Sequence, residues 1–272
     1  MAAFTRLAPT GATSVSEPGS RPHPWVLFAW LSTIWHAVFG SPAPRARGAR
    51  RPPPGLAAAV VVAHNEEAVI ESTLLSLLDT FAGEDVYVFA DGCSDRTVTI
   101  AREHLPPDNV IDHSKNIGKS RGLEYILANR VFPSDYEFVS VIDADSTISP
   151  NYVRECLHIF RAPNVAAVVG KVLSSAYPHN VYSIYRAYLY FLWEEVVKRI
   201  GSIVNAVTVA SGTSTTWRVS ALRQLTFDHA LSTEDFGLTF QLHRRHLGKV
   251  KYASSAVVES QDPGNLRSLL RQ

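Results

Sequence analysis

Seven apolar residues, AAAVVVA, run without a break over positions 57–63 and stop at His64. A run this short, bounded by polar residues, suits a strand rather than a helix. Unbroken apolarity, in place of alternation, marks a strand covered on both faces, as in a parallel sheet. Such a strand needs helices above and below it, and the downstream sequence supplies them. Asn65 is a candidate cap for a helix that carries Glu66 and Glu67 in its first turn and buries Val69, Ile70, Leu74, Leu77 and Leu78. Residues 86–90 (VYVFA) read as a second strand, and Ser94 as the cap of a helix ending near Glu103. Residues 110–113 suit a short strand, 118–129 a helix and 138–142 (FVSVI) another buried strand. This alternation predicts an α/β fold with a mostly parallel central sheet flanked by helices.

The chain has 272 residues, of which 46% are hydrophobic, enough for a core without disulfide or metal staples. Lys plus Arg number 26 and Asp plus Glu 25, a net charge of +1, so no global basic field favours nucleic acid as a partner. Cys93 and Cys156 are too few for a four-cysteine zinc site, and the ten histidines show no HExxH pairing. Four regions follow from the composition. Residues 1–24 read as a disordered tail. Residues 25–41 contain the uncharged run WVLFAWLSTIWHAVF, about 22 Å long as a helix, which suits a membrane-spanning or interfacial position. Residues 42–55 form a basic, Pro-rich linker with Arg45, Arg47, Arg50 and Arg51, and residues 56–272 form the α/β domain. Basic residues after the apolar run place the domain on the cytoplasmic side, so the expectation is a membrane-associated protein with a cytoplasmic catalytic domain.

Polar residues collect where the strands end. His64 and Asn65 follow the first, Asp91 the second, and Asp143 and Asp145 the FVSVI strand. Open α/β sheets bind ligands at that edge. No GxGxxG follows the first strand and no GxxxxGK[ST] occurs, which removes the main support for dinucleotide or P-loop binding. Asp143-Ala144-Asp145 puts two carboxylates at one bend, suited to Mg2+ or Mn2+ but also to an ordinary turn. Asp91 is a candidate acceptor for a nucleobase or ribose, and Lys119, near a helix start, for a phosphate. Asp235 in Ser232-Thr233-Glu234-Asp235 suits a helix cap or a general base. Trp217 and the aromatic residues of 182–200 are candidates for sugar stacking, with core packing as the alternative.

The order of these segments resembles the processive family-2 glycosyltransferases, the group of cellulose, hyaluronan, chitin-oligosaccharide and poly-N-acetylglucosamine synthases. VVVAHNEEAVIESTLLSLL is followed by DGCSDRT, NIGKSRGL, VIDADSTISPNYV, ASGTSTTWRVSAL, STEDFGLTFQLHRRHLGKVKY and SQDPGNLRSLLRQ. The resemblance implies a GT-A fold and inverting transfer of a sugar, with N-acetylglucosamine expected, from a UDP-sugar to a glycan or glycolipid acceptor. It implies Asp235, beside Glu234, as catalytic base, and His64, Asn65, Glu66, Asp91, Lys119, Asp143 and Asp145 around the nucleotide-sugar. It gives Asp143 and Asp145 a divalent cation, Mg2+ or Mn2+, and Ser211, Gly212, Thr233 and Gln272 the acceptor.

Two departures stand out. Ala90 occupies a position that is often acidic in the family, so uridine recognition rests on Asp91 and the loop after the first strand. The family's QxxRW motif begins at Gln272, where the sequence stops, so truncation at that motif is expected. The alternatives are a non-processive transferase acting on a lipid phosphate or surface glycan, and a catalytically silent UDP-binding module. A sugar-phosphate nucleotidyltransferase fits less well, because HNEEAV stands where its Gly-rich, Arg-containing loop belongs.

Overall fold

In the computed structural model, residues 51–174, 192–229 and 234–260 are described. The run at 57–63 is strand β1 (Ala57–Ala63), buried throughout except at Val62. Its alternate residues face opposite layers. Ala57, Ala59 and Val61 pack with Ile70, Leu74 and Leu77 of helix α1 (Ile70–Leu78), while Ala58 and Val60 pack with Leu123 and Ile126 of helix α3 (Lys119–Ile126). Alanine is a poor strand former, but that preference spans only about 1 kcal/mol. Burying one Leu or Ile of a covering helix gives about 1.5–3 kcal/mol. Burial wins, and the small alanines let both helix layers close on the sheet.

The remaining strands are β2 (Val86–Asp91), β3 (Val110–His113), β4 (Phe138–Asp143), β5 (Ser146–Ile148), β6 (Val165–Ser174), β7 (Thr215–Arg218) and β8 (Lys249–Ser260). Their order in one sheet is β3-β2-β1-β4-β7-β6-β8-β5. Pairings β1–β2, β1–β4, β2–β3 and β6–β8 are parallel. β7 is antiparallel to β4 and β6, and β5 to β8. Among the described strands only β5 and β7 therefore run against the rest, as a mostly parallel sheet requires. Helices α2 (Thr97–His104) and α4 (Tyr152–Phe160) join α1 on one face. Helices α6 (Val219–Leu222) and α7 (Glu234–Arg244) join α3 on the other. Helix α5 (Arg199–Val204) continues a π-helical stretch, Leu192–Lys198.

Three local expectations are corrected. Asn65 does not cap α1: its φ of 56° is left-handed, whereas a cap residue sits in the extended region, and the helix starts at Ile70 after a turn closed on the Glu66 carbonyl. Ser94 does not cap α2: Arg96 is the cap residue and makes no side-chain cap bond, while Asp95 Oδ1, one residue earlier, accepts the Thr97 N–H at 3.0 Å. Trp217 is 3% exposed within the core beside α6 and α7, so it does not face an acceptor. The helix expected over 118–129 is α-helical over Lys119–Ile126 and passes into a π-turn at Leu127–Val131. No helix among the described residues is long and apolar enough to cross a membrane. The apolar segment 25–41, Thr233, Gln272 and most of the aromatic stretch 182–200 lie outside the described residues.

Candidate active site

The strand directions bring the carboxyl ends of β1–β4 and the entry to β7 to one rim. On one side of it, three loops are stitched together. The Asp91 carboxylate, 2% exposed, accepts the Ile117 N–H at 2.7 Å and the Gly118 N–H at 2.8 Å, so it fixes the turn that starts α3. Its backbone carbonyl meets His64 Nδ1 at 2.6 Å. Asn65 Oδ1 accepts the Ser94 N–H at 2.8 Å, and Asp95 Oδ2 accepts the Glu67 N–H at 3.0 Å. Gly92 makes this packing possible. Its φ is +65°, and a Cβ there would lie 2.4 Å from the Asn116 nitrogen. His64 and Asn65 remain exposed on the rim.

Charged groups converge on the other side. Lys119, the first residue of α3, forms an ion pair with Asp143 Oδ1 at the end of β4, and its Nζ lies 3.9 Å from Glu234 Oε1. Thr213 Oγ1 donates to Asp143 Oδ2. Asp145 accepts only from the Ser146 hydroxyl, at 3.2 Å, among the described bonds. Burial and then the neighbouring Asp143 push the Asp145 carboxyl above its ordinary range. Glu66 is raised by burial, then by Asp145 and Asp95. For Lys119, burial opposes the charge, but Asp143, Glu234 and Asp235 outweigh it and hold the ammonium above its usual value. Negative charge is thus in excess around Asp145, and Lys119 neutralises part of it through Asp143.

At the head of α7, Asp235 Oδ2 accepts the Gly212 N–H at 3.1 Å. Thr239, one turn later, accepts the Ala210 N–H at 2.8 Å and donates to the Asp235 carbonyl at 2.7 Å. The loop entering β7 is thereby tied to α7. A Cβ on Gly212 would sit 3.4 Å from Lys119 Nζ and 3.6 Å from Glu234 Oε1, so this loop is in contact with the charged cluster. The Ser211 carbonyl is taken by Thr215 Oγ1 at 2.6 Å.

Lys119, Asp143, Gly212, Glu234 and Asp235 are therefore gathered at one spot, with Asp145 adjoining, while His64, Asn65 and Asp91 form the opposite side. Thr213 and Asp95 escaped the sequence reading. The signal for Thr213 was its place beside Gly212 in ASGTSTTW, where a hydroxyl can turn toward the rim. Among the described residues no three His, Cys, Asp or Glu side chains form a ready metal cage. The donor set still fits a hard divalent cation: Mg2+ is commonly held by one or two carboxylates, with substrate phosphates and water completing the shell.

A sequence-family model described as glycosyltransferase like family 2 matches residues 53–272. This chain belongs to that family. The glycosyltransferase-family chain is 25% identical over 226 residues to the poly-beta-1,6-N-acetyl-D-glucosamine synthase of Staphylococcus epidermidis, covering 77% of this chain and 50% of that protein. It thus spans half the length of this curated relative. The mannosyltransferase PcManGT from Pyrobaculum calidifontis, solved with GDP-Man and Mn2+, superposes with a TM-score of 0.59 at 16% identity, covering 90% of this chain and 67% of that one. S. aureus TarS 1-349, solved with UDP-GlcNAc, gives 0.55 at 16% identity, with 79% and 60% covered. The glycosyltransferase-family chain has the GT-A fold. Because these two structures carry different nucleotides, the fold likeness alone does not select the donor.

Proposed function

We propose that this domain transfers a sugar, with N-acetylglucosamine favoured, from a UDP-sugar to a hydroxyl of a glycan or glycolipid, with inversion at the anomeric carbon. The observation that carries the reading is the convergence of Lys119, Asp143, Glu234 and Asp235 around Gly212, at the rim where parallel strands end. The likeness to the poly-beta-1,6-N-acetyl-D-glucosamine synthase and to TarS in complex with UDP-GlcNAc supports this donor.

In this scheme the stitched loops of His64, Asn65 and Asp91 receive the uridine. Asp145, with Asp143, holds a divalent cation that supplies Lewis-acid stabilisation of the diphosphate leaving group. Lys119 turns from Asp143 to the diphosphate when the donor enters. Asp235 takes the proton of the acceptor hydroxyl as it attacks from the face opposite UDP, and no covalent enzyme intermediate is needed. The Gly212 N–H orients that carboxylate. Ser211, Gly212, Thr233 and Gln272 are assigned to the acceptor side. Residues 25–41 attach the protein to a membrane, with the domain on the cytoplasmic side, a reading supported by the basic cluster that follows them.

The test is calorimetric titration of UDP with Mn2+ and with EDTA, on the parent and on Asp145→Ala. Metal-dependent UDP binding in the parent, lost in the variant, is expected. Unchanged metal dependence in the variant would refute the ligand role of Asp145. Binding without UDP release from any UDP-sugar and acceptor would favour the silent-module alternative.

A further inference from the structure

The helical stretch from Leu192 to Val204 is built inside out. Leu192, Trp193, Val197, Ile200, Ile203 and Val204 are exposed, from 36% at Leu192 to 62% at Val204. Its charged pair is buried instead: Lys198 Nζ donates to Glu194 Oε1 at 2.6 Å, with the two side chains 3% and 2% exposed. Positions 193, 197, 200 and 204 follow helical spacing along one side. A helix of a water-facing domain shows the reverse, with charges outward and apolar residues inward. A contiguous exposed apolar patch of this kind marks an interaction surface.

We propose that this helix lies in the surface of a lipid bilayer, its apolar side at the boundary of headgroups and acyl chains. The flanking charge selects this occupant. β8 carries Lys249 and Lys251 two residues apart and so on one face. Lys251 Nζ donates to the Ser202 carbonyl and to Asn205 Oδ1, both at 2.7 Å, which sets it beside the end of the apolar stripe. Burial and then Lys249 lower the Lys251 pKa, so an anionic group here relieves the strain between the two ammoniums. An apolar stripe with a tryptophan and a basic flank is the pattern of an in-plane membrane helix on anionic lipid. A two-fold dimer through this patch would instead bring two copies of the same lysine flank together. The proposal does not depend on the attachment proposed for residues 25–41.

The experiment uses the full chain with Cys93→Ser, since burial pushes the Cys156 thiol up to about 12 and keeps it unreactive. An environment-sensitive fluorophore is placed on Ile203→Cys, on Val204→Cys or, as control, on the exposed Ser220→Cys. Each chain is mixed with phosphatidylcholine vesicles, with and without phosphatidylglycerol, containing nitroxide-labelled lipid. Blue-shifted emission and lipid quenching are expected at 203 and 204 but not at 220, with quenching several-fold stronger when phosphatidylglycerol is present. Vesicle-bound protein with 203 and 204 unquenched would overturn the proposal while leaving the 25–41 attachment standing. Absence of vesicle binding would overturn both. Blue shift without lipid, accompanied by dimer formation in sedimentation, would assign the surface to a second copy and overturn it. Equal quenching with and without phosphatidylglycerol would overturn the role of the lysines.

Discussion

The two sides of the rim are held together by different forces. On the side of β1–β3, neutral backbone groups are locked to side chains: Asp91 to Ile117 and Gly118, Asn65 to Ser94, and Asp95 to Glu67 and Thr97. On the side of β4, β7 and α7, the contacts run largely between ions and hydroxyls: Lys119 to Asp143, Thr213 to Asp143, and Glu234 near Lys119. The first set fixes a shape before any ligand arrives, which lowers the ordering cost of binding. The second set consists of contacts that a cation and a diphosphate can replace. On the proposed function, recognition is preformed on one side, and on the other the chain's own charges stand where those of the ligand would be.

Breaking the charged side at its proposed catalytic end should give the largest effect. Asp235→Asn is expected to cut transfer by about 10²–10⁴-fold while UDP binding is retained. Comparable loss of both would reduce Asp235 to an anchor for Gly212. Breaking the preformed side comes next. Asp91→Ala strands two part-buried N–H groups, so stability in urea should fall by about 1–3 kcal/mol and UDP binding with it. A loss under about 1 kcal/mol would mean that water replaces the carboxylate freely.

Lys119→Met sharpens the contrast. It frees Asp143, so Mn2+ affinity without nucleotide should rise about tenfold by calorimetry, a change of about 1.4 kcal/mol. UDP affinity should fall in the same variant. Weaker Mn2+ binding would show that the lysine supports the cation site instead of competing with it. The smallest effect is in acid. For Asp95, burial opposes ionisation, but the Thr97 hydroxyl and N–H and the Glu67 N–H outweigh it and lower the pKa. A lowered folded pKa contributes stability above the usual carboxylate value, near 3.9, and that contribution is lost as pH falls through the lowered one. Asp95→Ala should therefore melt a few degrees below the parent at neutral pH, roughly 2–4 °C, with the two curves converging in acid.

The first half of the domain was legible residue by residue. β1 and β3 have the expected bounds, and β2 and β4 extend one residue further, because Asp91 and Asp143 close the strands that aim them. Caps were misread for a reason. Asn65 and Ser94 are good cap residues by type, but each joins one loop to another, and a partner 29 residues away has no local signature. The second half was recognised through resemblance more than through pattern. β8 reads KVKYASSAVVES, with its register against β6 shifted between Gly170 and Lys171, so no steady alternation announces it. The pairing of Lys119 with Asp143 spans 24 residues and depends on parallel neighbours, which only the assembled sheet supplies.

The reversal of β7 bears on how such an enzyme can be altered. Because this strand runs against β4, the loop before it, residues 211–214, opens onto the rim where β4 ends. The segment lies outside the β1–β4 pairings, and it meets that half of the sheet through Thr213 on Asp143. Grafting the 211–214 segment of a relative is thus a route to changing the proposed acceptor side, provided the graft keeps the hydroxyl on Asp143 and the N–H on Asp235 that Thr213 and Gly212 supply.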